Sequence, residues 1–167
     1  MLQKPALALE SLRAEHVSYS GTGVEGANAF LGRVRPFWDS LELTATLGTN
    51  SAQEFGLRVL EGHGAATVIG YDRATSTLFL DRTRSGEVGF SPAFPSRSTA
   101  PLALRSGSLQ LHVFVDKSSV EVFAGDGEVT LTDLVYPLPN ATSVEVYARG
   151  GNIGHIQFDA WRLQSIW

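Results

Sequence analysis

The chain has 167 residues, 43% of them hydrophobic and 10% aromatic, with a formal net charge of −4. That length suits one domain with a proper buried core. The mild acidity argues against nucleic acid and against an anionic membrane surface, both of which call for clustered basic side chains. There is no cysteine, which excludes disulfides and thiolate metal sites and leaves the cellular compartment open.

The opening MLQKPALALESLR has neither a long apolar core nor a small-residue cleavage pattern, so no export signal is visible. No run approaches the roughly 20 apolar residues of a membrane span. Residues 2–16 carry helix formers after Pro5 and read as a short helix or a loosely packed tail. Gly21, Gly23 and Gly26 read as breaks in regular structure. This divides the chain into a tail or linker, residues 1–16, and a globular part, residues 17–167.

From Leu41 the period becomes two. Leu41, Leu43, Ala45 and Leu47 alternate with Glu42, Thr44 and Thr46, as in a half-buried strand. Residues 55–60, 66–71 and 77–81 form further strand-like runs, separated by Gly62-His63-Gly64 and Asp72-Arg73-Ala74-Thr75. Next comes LQLHVFVDKSSVEVFAGDGEVTLTDLVYP, residues 109–137. Runs at 109–115, 120–123 and 129–135 are joined there by Asp116-Lys117-Ser118-Ser119 and Gly125-Asp126-Gly127-Glu128. Aspartate, serine and glycine tolerate positive φ or bond their own backbone, so this is an antiparallel meander. Residues 144–148 and 155–163 close the chain around a turn at Gly150-Gly151-Asn152. Many short strands with little helix indicate an all-β sandwich or barrel, and two-faced alternation suits two packed antiparallel sheets. Val113, Val115, Val120 and Val122 are expected in the core.

The segment FVDKSSVEVFAGDGE followed by LTDLVYP resembles the C-terminal β-sandwich module of glycoside hydrolase family 32, which contains invertases, levanases and inulinases. EFGLRVLEG at 54–62, TVIGYDRATSTLFLDRTRSGEVGFSPAFP at 67–95 and AWRLQSIW at 160–167 extend the likeness over nearly all of the chain. The resemblance implies a concanavalin-like, jelly-roll type sandwich of two roughly six-stranded sheets. Residues 2–16 are similar to the linker that joins propeller to sandwich. The catalytic residues of the family lie in an N-terminal propeller, in segments resembling WMNDPNG, RDP and EC, and none of these occurs here. The resemblance therefore implies a non-catalytic module, related to fructan-binding carbohydrate-binding module family 66, that holds levan or inulin through fructosyl units. Its implied partners are β-fructan or fructose and the catalytic propeller. The alternative is a structural sandwich that buttresses the propeller or forms a homodimer contact. No cofactor is implied.

A sugar site needs carboxylates and guanidinium groups for adjacent hydroxyls and an aromatic face for the ring. Asp81 and Arg82, at a strand end, are one candidate pair; their alternative is to satisfy each other or the following loop. Period two places Ser119, Glu121 and Phe123 on one face, so Glu121 beside a phenylalanine is a second candidate. It has the alternative of pairing with Arg82, Arg58 or His112. Asp116 serves a ligand or its own turn, and Glu54 and Arg58 are further candidate members. Trp38, in RPFWDS, is a stacking platform or a packing residue. His16, His63, His112 and His155 show no metal-ligand spacing.

Overall fold

The computed structural model describes residues 2–34 and 40–164. They form two antiparallel sheets packed face to face. One has six strands in the order β1 (Arg13–Thr22), β11 (Ile153–Leu163), β2 (Leu41–Thr49), β7 (Ser108–Asp116), β8 (Ser119–Ala124), β9 (Val129–Leu134). The other has five, in the order β10 (Ser143–Arg149), β3 (Glu54–Gly62), β4 (Ala65–Asp72), β5 (Thr77–Asp81), β6 (Arg97–Pro101). The two-sheet antiparallel sandwich expected from the period-two pattern is the fold.

Alternation decides which side chains enter the core. Along β8, Val120, Val122 and Ala124 point inward while Ser119, Glu121 and Phe123 stay half-exposed. Val113, Val115, Val120 and Val122 are all 0% exposed, as their spacing requires. Phe55, Leu57, Ile69, Leu78 and Leu80 meet them from the five-stranded sheet. Each such side chain contributes about 1.5–3 kcal/mol by leaving water. The turn between β8 and β9 has the mirror-image geometry favoured in hairpins: Gly125 and Asp126 have φ of 60° and 61°, and the Gly127 amide donates to the Ala124 carbonyl at 3.1 Å.

The structure adds a helix that the glycine pattern concealed. Residues Val24–Arg33 form α1, with Gly26 inside it rather than ending it. A glycine in a helix costs up to about 1 kcal/mol against alanine, and here it lets the Tyr19 hydroxyl approach closely. A Cβ on Gly26 would lie 2.7 Å from the Tyr19 hydroxyl oxygen. Ala27 and Leu31 of α1 enter the core. Asn28 accepts from the Val146 amide at 2.8 Å and donates to the Val146 carbonyl at 2.9 Å. The helix thus pairs the Val146 amide and carbonyl, which edge strand β10 would otherwise expose. Strands β1 and β6 are also additions, since residues 13–22 and 97–101 carry too little apolar alternation to stand out.

Residues 7–12 form a 3-10 helix with no buried side chain. The segment from Gln3 to this helix is a strap. It starts at the β8–β9 turn, where the Gln3 amide donates to the Gly127 carbonyl at 2.9 Å and Lys4 pairs with Asp126 at 3.1 Å. It ends at β1, on the opposite edge of the six-stranded sheet.

Candidate functional site

The sandwich has two outer faces, and the candidate residues divide between them. On the five-stranded sheet, register places Glu145, Arg58, Val68, Asp81 and Arg97 in one cross-strand row, with Arg149, Glu54 and Asp72 in another. Glu54, Arg58 and Asp81 therefore share a face. Their polar groups are engaged there. Glu54 accepts from the Tyr147 hydroxyl at 3.2 Å and from Arg149 at 3.4 Å. Arg58 lies 3.9 Å from both Glu61 and Glu145. Burial, followed by the charge and hydrogen bond of Glu54, raises the Tyr147 phenol well above its ordinary range, so it stays protonated and donates.

Asp81 and Arg82 organise the loop after β5. The Asp81 carboxylate accepts from the Thr83 amide at 2.9 Å and the Thr83 hydroxyl at 2.6 Å. Arg82 donates to Ser96 Oγ at 2.8 Å and to the Leu134 carbonyl at 3.0 Å, and approaches Asp133 at 3.9 Å. It thereby ties β9 of one sheet to the β5–β6 segment of the other. Burial raises the Asp133 carboxyl, and the Arg82 charge with the Ser98 hydrogen bond offsets only part of that. The Arg82 guanidinium also lies 4.2 Å over the Phe94 ring. Phe94 clusters with Phe90 and Tyr136, at ring separations of 4.6 and 5.4 Å. Phe90, Tyr136 and Leu134 are exposed, and together they make an apolar patch at this corner.

Asp116 and Glu121 lie on the other outer face, that of the six-stranded sheet, so the structure does not bring Glu121 together with Asp81 and Arg82. Asp116 accepts from its neighbour's amide, Lys117 N, at 2.7 Å and from Ser40 Oγ at 2.9 Å. Glu121 faces Phe114 across the β7–β8 pair and Thr132 across the β8–β9 pair. It makes no hydrogen bond or ion pair with any described residue. Trp38 lies outside the described residues.

The face that carries Glu121 is built in rows. His16, Trp161, Glu42, Phe114 and Glu121 form one; Ser18, Asp159, Thr44, His112 and Phe123 the next; Ser20, Gln157, Thr46 and Gln110 a third. Strand spacing puts neighbours within a row about 4.8 Å apart. The alternation in β2 suggests a solvated Glu42, but its side chain is only 1% exposed. Arg13 reaches over from β1 and donates Nε and Nη2 to the two carboxylate oxygens, both at 2.7 Å. His112 Nε2 lies 2.6 Å from Oε1. Arg13 is supported by the Trp161 ring, 4.3 Å beneath it, and Trp161 stacks on His16 at 4.8 Å. Burial pushes the Glu42 carboxyl up, but the hydrogen bonds and charges of Arg13 and His112 together overcome this and hold it below its ordinary value. The sequence offers no local sign of this network, because its members are 29 and 70 residues apart.

The strap arches over these rows and encloses a recess of about 400 Å³. Its floor includes Thr44, Thr46, Gln110, His112 and Gln157, and Phe114 and Phe123 form part of its wall. His112 stacks on Phe114 at 4.9 Å, and Phe123 stands edge-on to Phe114 at 6.3 Å.

Comparison with known proteins places this architecture. The chain is 34% identical to the levanase of Bacillus subtilis over its whole length, covering 25% of that protein. It is 35% identical to the extracellular exo-inulinase of Aspergillus ficuum, again over its whole length, covering 32% of that protein. Among solved structures, exo-inulinase from Aspergillus awamori superposes with a TM-score of 0.81 at 28% identity, over 99% of this chain and 33% of that one. Fructan 1-exohydrolase IIa from Cichorium intybus shares the fold, with a TM-score of 0.74 at 14% identity. The chain thus spans between a quarter and a third of the length of these curated relatives. A family model described as the C-terminal region of glycosyl hydrolases family 32 matches residues 8–162. This chain belongs to that family, and its two packed sheets are the family's C-terminal β-sandwich domain.

Proposed function

We propose that this domain is a non-catalytic carbohydrate-binding module that holds β-fructan, levan or inulin, through fructosyl units on behalf of a fructan-hydrolysing polypeptide. One observation carries the reading: the outer face of the six-stranded sheet is a lattice of amides, hydroxyls, carboxylates and aromatic rings rather than a uniformly charged, solvated surface. Such a surface replaces the water lost by sugar hydroxyls and offers apolar ring faces. Glu121 and Asp116 lie on this face, and the Glu121 carboxylate, opposite Phe114, makes no hydrogen bond or ion pair with any described residue. Asp81, Arg82, Glu54 and Arg58 serve the opposite sheet and its corner, where a fructan contact is a subsidiary proposal. Affinity for one site is weak, because a few hydroxyl contacts barely exceed the cost of association. Attachment to a polymer-degrading enzyme raises the effective local concentration. An enzyme that acts on polymeric fructan works outside the cell, as the extracellular exo-inulinase relatives do.

The test is calorimetric titration of this chain against levan, inulin, fructose and an unrelated glucan, with a parallel assay for released fructose. Binding of a fructan without hydrolysis supports the proposal. A folded chain that binds none of them overturns it. A structural role then becomes the better reading, and the exposed patch of Phe90, Tyr136 and Leu134 favours it as a surface for the catalytic domain.

A further inference from the structure

Resting on the carbohydrate-binding reading, we infer that the recess beneath the strap is the sugar site, and that the Gln157–Thr46–Gln110 row recognises a neutral furanose unit there.

The charges in and around the recess are committed. Glu42 is held by Arg13 and His112. Asp159 lies 2.9 Å from His16, Asp126 lies 3.1 Å from Lys4, and Glu10 lies 3.6 Å from Arg13. Among the described residues that line it, no unpaired cation is left to hold a phosphate or a carboxylate. What remains open is neutral. Thr44, Thr46, Gln110 and Gln157 make no side-chain hydrogen bond with any described residue, and all line the recess.

Register makes these groups a unit. Thr46 faces Gln110 on one side and Gln157 on the other, which sets two amides about 9.6 Å apart across one hydroxyl. Thr44 lies on the same face two residues away. Each amide presents two donors and an acceptor, and each hydroxyl one donor and two lone pairs. A polyhydroxylated ring needs this mixture of donors and acceptors at short spacing. The half-buried Phe114 and Phe123 rings supply an apolar wall beside it. The volume is at the small end of ligand sites, which span roughly 300–1,000 Å³, and suits one or two sugar rings rather than a long stretch of polymer.

The experiment compares levan and inulin binding by the wild type, by Gln110→Ala/Gln157→Ala, by Thr46→Val and by Thr99→Ala. Gln110 and Gln157 are exposed side chains on formed strands, so their loss leaves the fold intact; thermal unfolding monitors this. Thr99 is exposed on the five-stranded sheet and serves as the control. Losing a neutral hydrogen bond weakens binding about fivefold, so the double variant is expected to lose at least about tenfold, Thr46→Val about fivefold, and Thr99→Ala nothing, at unchanged melting temperatures. Wild-type fructan binding that all three variants retain overturns this location while leaving the carbohydrate-binding reading standing. Equal weakening by Thr99→Ala overturns it too. A wild type that binds no fructan overturns the reading and the site together.

Discussion

Arg13 and Glu42 form a two-pronged ion pair that spans β11, with the Trp161 ring beneath the guanidinium. The pair locks the start of β1 to the centre of the six-stranded sheet. Because Glu42 is only 1% exposed, removing Arg13 leaves a buried carboxylate with His112 as its one remaining partner among the described residues. Arg13→Ala is expected to cost about 3 kcal/mol. Urea denaturation measures this. A double replacement, Arg13→Met with Glu42→Leu, is expected to recover most of the loss, because a well-packed apolar pair replaces a buried ionic one at little cost. A single variant as stable as wild type refutes the account.

The two buried carboxylates set opposite pH dependences. The Glu42 carboxyl titrates below its ordinary value in the fold. Its contribution is therefore fully present above the unfolded value, about 4.3, and is lost as pH falls through the lower folded value. Asp133 titrates above its ordinary value. Ionising it costs stability at neutral pH, and that cost is relieved as pH falls from its folded value towards about 3.9. Melting temperatures between neutral and acidic pH should show Glu42→Gln less stable than wild type at neutral pH, with the gap closing in acid. Asp133→Asn should be the more stable at neutral pH, and its advantage should also vanish in acid. The opposite ranking would sink the assignment.

Asn28 makes a reciprocal pair of hydrogen bonds with the Val146 backbone. Asn28→Ala leaves an amide and a carbonyl of edge strand β10 without these partners. The expected loss is about 1–3 kcal/mol, with faster hydrogen exchange at the Val146 amide. Unchanged exchange there would show that α1 does not protect the edge.

The strap is tied down at Gly127, where φ is +91°. A Cβ there would run into the Gln3 carbonyl oxygen. Gly127→Ala is expected to detach residues 3–6 and open the recess; the fall in melting temperature comes from the strained turn, where alanine takes a positive φ, and little from the strap, since no side chain of the 3-10 helix is buried. Limited proteolysis reads this directly, as faster cleavage within the strap. Equal cleavage of variant and wild type would contradict it.

Period-two alternation by itself determined most of the sandwich. Inward valines at 113, 115, 120 and 122 and polar turns at 116–119 and 125–128 leave an antiparallel meander little choice, because a slip of one residue would turn a whole hydrophobic face to water. The family motifs extended this to the kind of domain. Tertiary structure alone decided the rest. Gly26 looks like a break, yet α1 forms around it because Ala27 and Leu31 enter the core, Asn28 bonds Val146 and Tyr19 packs against the glycine. Glu42 alternates like a solvated residue, yet it is buried because Arg13 and His112 converge on it from strands far away in sequence. Asp81 and Glu121 look equally available along the chain, but strand order puts them on opposite outer faces. Alternation reports whether a side chain points in or out. It carries no information about which strands become neighbours or what a terminal segment folds across, and those long-range choices assemble the recess over Thr44, Thr46, Gln110 and Gln157.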